Sequence, residues 1–230
     1  MALNIGGGMF PPGRDLLINY DWTDISNQTG YISFDGFATV DSVSAKYVLI
    51  KSDSRTSAIS IVSYSSGVKQ LFTDANVLAA TLTKALDVDF DLFEFQLPQN
   101  IKGQAYIRGA FGYSALTAAD SSTFYVIAKI RKWDGTTETD IVTVQSATVN
   151  QAATVNTNII PFSLLATVPL TNYKKAETLR LTIEVWSDSG SDTNYYMQLY
   201  HDPQDATIND SGSTAISTRL ICIVPFKIEV

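Results

Sequence analysis

The chain has 230 residues, 45% of them hydrophobic and only 17% charged, with a formal net charge of −7. That length buries a sizeable core without staples. The charged fraction falls below the ordinary value of about a quarter, so Ser, Thr, Asn and Gln must supply much of the polar surface. The acidic balance excludes phosphate-backbone binding as the main task and docking on an anionic membrane. No apolar run approaches the roughly 18 residues of a membrane-spanning helix.

In chain order, residues 1–20 read as an extended N-terminal arm, set against the alternative of a disordered terminus. Gly6-Gly7-Gly8 is permissive backbone and Pro11-Pro12-Gly13 is a stiff turn. Met9, Phe10, Leu16 and Leu17 give the arm apolar anchors, and these four are the candidate interface residues. The start lacks the basic and apolar regions of a signal peptide, which predicts a protein made and kept in a cytoplasm. Residues 21–85 form an N-terminal β segment. Its strand signals are Gly30–Phe34, Tyr47–Ile50 and Ala58–Tyr64. It also holds one expected helix over 75–85, capped by Asp74, with Val77, Leu78, Leu82 and Leu86 to one side.

Residues 86–230 carry the stronger β signal. Val88, Phe90 and Leu92 alternate with Asp87, Asp89 and Asp91, and Phe93 and Phe95 then shift phase, which predicts a bulge near Leu92-Phe93. Ile101–Phe111 alternates with Lys102, Gln104, Tyr106 and Arg108. Phe124, Val126, Ala128 and Ile130 form one strand face; Tyr125, Ile127, Lys129, Arg131 and Trp133 form the other. Asp134-Gly135 marks a hairpin turn. Pro161 and Pro169 place 159–170 at an edge or at strand ends. Leu179, Leu181, Ile183 and Val185, and later Leu220, Cys222, Val224, Phe226 and Ile228, line further strands. The pattern predicts an all-β chain: an antiparallel β-sandwich of jelly-roll (TNF-like) type preceded by the arm, with no α/β alternation.

Chemistry-bearing groups are sparse. The single cysteine, Cys222, sits in the apolar phase of its strand and reads as a small buried side chain. The single histidine, His201, precedes Asp202-Pro203 and has no G-x-S-x-G companion, so it reads as part of a turn. Asp87, Asp89 and Asp91 share one strand face and are weak calcium candidates. Solvation, or pairing with cations such as Lys102, Arg108, Lys129 or Arg131, is the favoured reading. Trp133, Trp186, Tyr195 and Tyr196 are candidate ligand-stacking residues, set against the alternative that aromatics fill cores and interfaces. No cofactor motif is present, and no paired carboxylates stand out for hydrolysis. The expectation is a chain without catalytic function; two carboxylates facing each other in a cleft would reopen a hydrolase reading.

Several segments resemble jelly-roll virion structural proteins of tailed viruses from aquatic environments. They are Thr29–Phe37, Leu86–Leu92, Ile101–Ile107, Lys129–Gly135, Leu179–Trp186, Tyr200–Pro203 and Leu220–Ile228. Residues 66–85 depart from that likeness. The resemblance implies a virion component, as a homotrimer, contacting other capsid or tail proteins. Its role would be capsid-surface decoration or cementing, or alternatively a tail fibre or spike that binds a glycan receptor. It carries over no active-site residue.

Overall fold

The computed structural model describes residues 29–40, 45–52, 72–77, 81–115, 121–152, 158–188, 195–203, 208–209 and 215–227. Among these residues there is no α-helix. The strands are β1 (Thr29–Val40), β2 (Ala45–Lys51), β3 (Phe72–Val77), β4 (Thr83–Asp91), β5 (Gln99–Ala115), β6 (Ser121–Trp133), β7 (Glu138–Gln145), β8 (Val149–Ala152), β9 (Asn158–Tyr173), β10 (Thr178–Ser187), β11 (Tyr195–Tyr200), β12 (Ile208–Asn209), β13 (Ala215–Ile216) and β14 (Ile221–Lys227). The arm, its anchors Met9, Phe10, Leu16 and Leu17, and the expected strand over 58–64 lie outside the described residues.

Hydrogen-bonded neighbours run β3-β11-β5-β14-β1-β2-β4-β10-β6-β7, with β9 added to β5 and β8 to β6. Every pairing is antiparallel except the single parallel contact of Val48 with Asp91, where β2 meets β4. That contact joins two layers. One contains β2, β1, β14, β5 and β9; the other contains β4, β10, β6 and β7. Alternation explains the packing, since successive side chains of a strand point to opposite faces. Phe34, Leu49, Ile107, Leu164, Ala166, Cys222 and Val224 from the first layer share a core with Val88, Phe90, Val126, Ala128, Ile130, Leu181, Ile183 and Val185 from the second. The result is the antiparallel jelly-roll sandwich that the alternating rows require.

Local rules hold where the chain turns. The β6–β7 hairpin closes at Asp134-Gly135. The Asp134 carboxylate accepts hydrogen bonds from the backbone N–H groups of Thr136 and Thr137 at 2.9 and 2.7 Å, which holds its pKa below the usual carboxylate value. Gly135 adopts φ +96°, open to glycine at no steric cost. Segments 159–164 and 166–170 prove to be one strand, β9, which hydrogen-bonds β5. Pro161 stands opposite Ala110 in that ladder, and Pro169 falls where its register shifts, between Val168 and Thr171.

Three expectations are corrected. The helix over 75–85 is absent: residues 72–77 and 83–91 are strands, and Asp74 pairs opposite Gln198 rather than capping a helix. Pairing with β11 overrides the helical spacing of Val77, Leu82 and Leu86, and β-branched Thr81 and Thr83 favour that outcome. The boundary at residue 85 does not divide the sandwich, because β1 and β2 pair with β14 and meet β4 within it. The phase shift after Leu92 is not a bulge inside a strand. β4 ends at Asp91, and Leu92 and Phe95 remain tethered through N–H bonds to the carbonyls of Leu179 and Glu177. The irregularity in this ladder falls at Val185/Trp186 instead.

Candidate functional site

The polar phase of β4, β10, β6 and β7 forms one outer sheet face. In register, Arg180 of β10 lies opposite Asp91 of β4 and Arg131 of β6, and Thr182 lies opposite Asp89 and Lys129. Two arginines directly opposite each other repel, so the face is stable only because the flanking strands supply carboxylates. Arg180 donates to Asp91 in fork geometry, Nε to Oδ1 at 2.6 Å and Nη2 to Oδ2 at 2.8 Å. Its Nη1 lies 3.4 Å from Asp89 and also bonds Glu138 of β7. Arg131 donates to Glu138 at 2.7 Å and to Asp140 at 2.7 Å. Thr182 donates its hydroxyl to Asp89.

The electrostatics follow from this geometry. The bonded Asp91 carboxylate, helped by Glu138, holds the Arg180 guanidinium above its ordinary pKa despite partial burial. Asp89 goes the other way. Desolvation raises its pKa, and the Thr182 hydroxyl and Arg180 offset only part of that. Further along the face, burial pushes Glu184 upward. The Lys129 ammonium at 2.6 Å and the Trp186 indole N–H at 2.9 Å outweigh it and leave the carboxyl below its usual value. Lys84 bonds Asp87, which raises the Lys84 pKa.

The three aspartates expected to share a face do so, and each is engaged by a cation: Asp87 by Lys84, Asp89 and Asp91 by Arg180. Lys129 and Arg131 take part as expected. Lys102 and Arg108 belong to β5 in the other layer. The four stacking candidates are not brought together. Trp133 lies under the Arg180 guanidinium, 4.6 Å from Cζ to the ring centre. Trp186 lies toward the other end of the same face, stacked on Tyr125 with centroids 5.7 Å apart and planes 14° apart. Tyr195 and Tyr196 belong to β11, which pairs with β5 and β3 in the other layer. Sequence reasoning placed Tyr125 on the same strand face as Lys129 and Arg131 but missed Arg180 and Glu138 as their partners across it. The only signal was their place in the polar phase of their strands.

The outer face of the other layer has opposite character. A single cross-strand row runs Ser33–Ile223–Tyr106–Leu165 over β1, β14, β5 and β9. Tyr106 is 43% exposed and Leu165 48%, and Tyr31 and Leu170 are more open still. Ile223 is half-buried. The remaining titratable oddities are internal. Burial beside Tyr47 and Phe90 pushes His201 down to about 4. Burial pushes the Cys222 thiol up to about 12, as the apolar phase of its strand requires.

No family model matches the chain, and no curated protein does. Solved structures resemble the chain at low likeness. A CocE/NonD family hydrolase from Staphylococcus aureus is 12% identical over 90% of this chain and 43% of its own, with a TM-score of 0.39. An aminopeptidase from a marine sediment Thaumarchaeota archaeon is 8% identical over 70% and 34%, with a TM-score of 0.47. The infectious bursal disease virus particle is 9% identical over 89% and 36%, with a TM-score of 0.36. The chain thus spans less than half the length of these solved chains. The expectation of a chain without catalytic function is corrected by this finding, since hydrolases stand among its structural neighbours. Linear motifs do not report groups that folding brings together.

Proposed function

We propose that the chain is a structural subunit of a virus particle, assembling through the outer face of β1, β14, β5 and β9. In its most specific form it is a trimeric capsid-surface decoration or cementing subunit. One observation carries the reading. Ile223, Tyr106 and Leu165 form an apolar row over three adjacent strands, β14, β5 and β9, on one sheet face, while the opposite face is closed by ion pairs within the chain. Exposed apolar rows of this kind mark association surfaces, and covering them in a standard interface of about 1,600 Å² supplies the driving force. The segments resembling jelly-roll virion proteins of aquatic tailed viruses agree with it. Imaging of purified particles tests the proposal. Copies of the chain with Tyr106 and Leu165 covered by a neighbour are expected; particles lacking the chain, or showing that face open to solvent, contradict it.

The stacked Tyr125–Trp186 pair favours a second reading, a receptor-binding fibre or spike that takes a glycan. Both rings are half-exposed and the indole N–H is fixed by Glu184. A glycan array distinguishes the two. Binding lost in Trp186→Ala supports the receptor reading, and an empty array removes it.

A further inference from the structure

A cavity of about 330 Å³ opens at the end of the sandwich where the β4–β5 connection crosses β1, β2 and β14. Its inner wall is aromatic. Phe34 and Phe226 meet at 6.3 Å between ring centres, and Phe95 meets Phe226 at 6.2 Å. These three and Leu92 are buried against the core, so the wall is fixed by packing. The rim is different. Phe93 and Leu97 are 65% and 70% exposed, an arrangement that leaves large apolar side chains in water beside an apolar hollow.

The polar lining is unequal in charge. Among the described residues it consists of Lys51, Gln96 and Gln99, with no carboxylate. Lys51 stands at the end of β2, directly opposite Phe34 in the β1–β2 ladder, and it is exposed. No described carboxylate forms an ion pair with it. An apolar hollow of this size with a few convergent polar groups matches the usual form of a small-ligand site. An ammonium without an ion pair among the described residues, at the mouth of an aromatic wall, selects a ligand with the complementary pattern.

We infer that this cavity binds an amphipathic anion, an aliphatic chain ending in one carboxylate, with the chain against Phe34, Phe95 and Phe226 and the carboxylate at Lys51. Gln96 and Gln99 are the neutral hydrogen-bonding groups nearest that end. Phe93 and Leu97 close over the chain when it is seated. The site is separate from the assembly face, because its wall comes from the inward phase of β1 and β14 and the row of Ile223, Tyr106 and Leu165 from the outward phase.

Calorimetric titration of the full chain with decanoate, decanol and decyltrimethylammonium tests it. Decanoate binds saturably at one site. Octanoate binds about tenfold more weakly, for the loss of two buried methylenes. Lys51→Glu weakens decanoate at least tenfold while leaving decanol within about twofold. Ile32→Trp fills the hollow from a half-buried position and abolishes binding of both. If that variant does not fold, methyl resonances of Ile32 and Leu92 in the wild-type chain report the same contact by shifting on titration. Absence of saturable decanoate binding overturns the inference. So does equal affinity for the cationic analogue, an unchanged Lys51→Glu variant, or decanoate shifts confined to residues away from the cavity.

Discussion

The two outer faces of the sandwich solve the same problem in different ways. On the face of β4, β10, β6 and β7, neighbouring strands answer each other's charges: Asp89, Asp91, Glu138 and Asp140 on the flanking strands meet Arg180 and Arg131 on the central ones, and Glu184 of β10 meets Lys129 of β6 and Lys84 of β4. Arg180 satisfies Asp91, Asp89 and Glu138 at once. On the face of β1, β14, β5 and β9, the same outward phase presents half-buried Ile223 and exposed Tyr106 and Leu165. One face is answered by ion pairs within a single copy and the other leaves apolar side chains exposed. A shared core therefore does not dictate a shared role; the outward phase alone decides which layer holds the fold and which is free to associate.

The largest effect expected is on stability, and it comes from neither face. His201 is buried neutral in the core, with its pKa lowered from 6.5 to about 4. The unfolded chain takes up a proton as pH falls through 6.5 while the folded chain does not. The contribution is therefore fully present above that value and is lost progressively down to about pH 4. It amounts to about 3 kcal/mol, which urea unfolding at pH 7 and pH 4 measures. A His201→Phe variant flattens most of that slope. Glu184 adds a smaller loss of the same sign, because its lowered carboxyl pKa contributes only above the unfolded value and fades as pH drops.

Arg180→Met attacks the closed face and leaves three half-buried carboxylates without their main cation. A loss of about 2 kcal/mol is expected, less than for a fully buried pair because the acids remain partly hydrated. The association state should stay unchanged. Salt sharpens the contrast at smaller scale. Raising ionic strength to about 1 M screens the exposed Lys84–Asp87 pair, worth under about 1 kcal/mol, while sulfate strengthens association through the apolar row. Charging that row with Tyr106→Lys and Leu165→Lys should change monomer stability by under about 0.5 kcal/mol, since both side chains are surface positions.

Much of the core was legible in the sequence. The alternation of Leu179, Leu181, Ile183 and Val185, and of Phe124 through Ile130, names the inward phase directly, and Cys222 falls in the inward phase of β14. Asp134-Gly135 marks its turn by chemistry that acts within three residues. Residues 75–77, expected in a helix, are strand because of partners far away in the chain: β11 lies more than a hundred residues downstream, and no local propensity reports it. The Arg180 hub was hidden for the same reason, since Asp91 and Glu138 stand 89 and 42 residues away. Tyr106 was placed correctly in the polar phase with Lys102 and Gln104. Its meaning changed only when register set Ile223 and Leu165 beside it.

Sedimentation of the wild-type chain beside the Tyr106→Lys, Leu165→Lys double variant tests the central claim most directly. The wild type should sediment as an oligomer, a trimer in the specific reading, and the double variant as a folded monomer, with Arg180→Met still assembled. A wild-type chain that remains monomeric at every concentration, or a double variant that assembles as the wild type does, would contradict the assignment of this face to assembly.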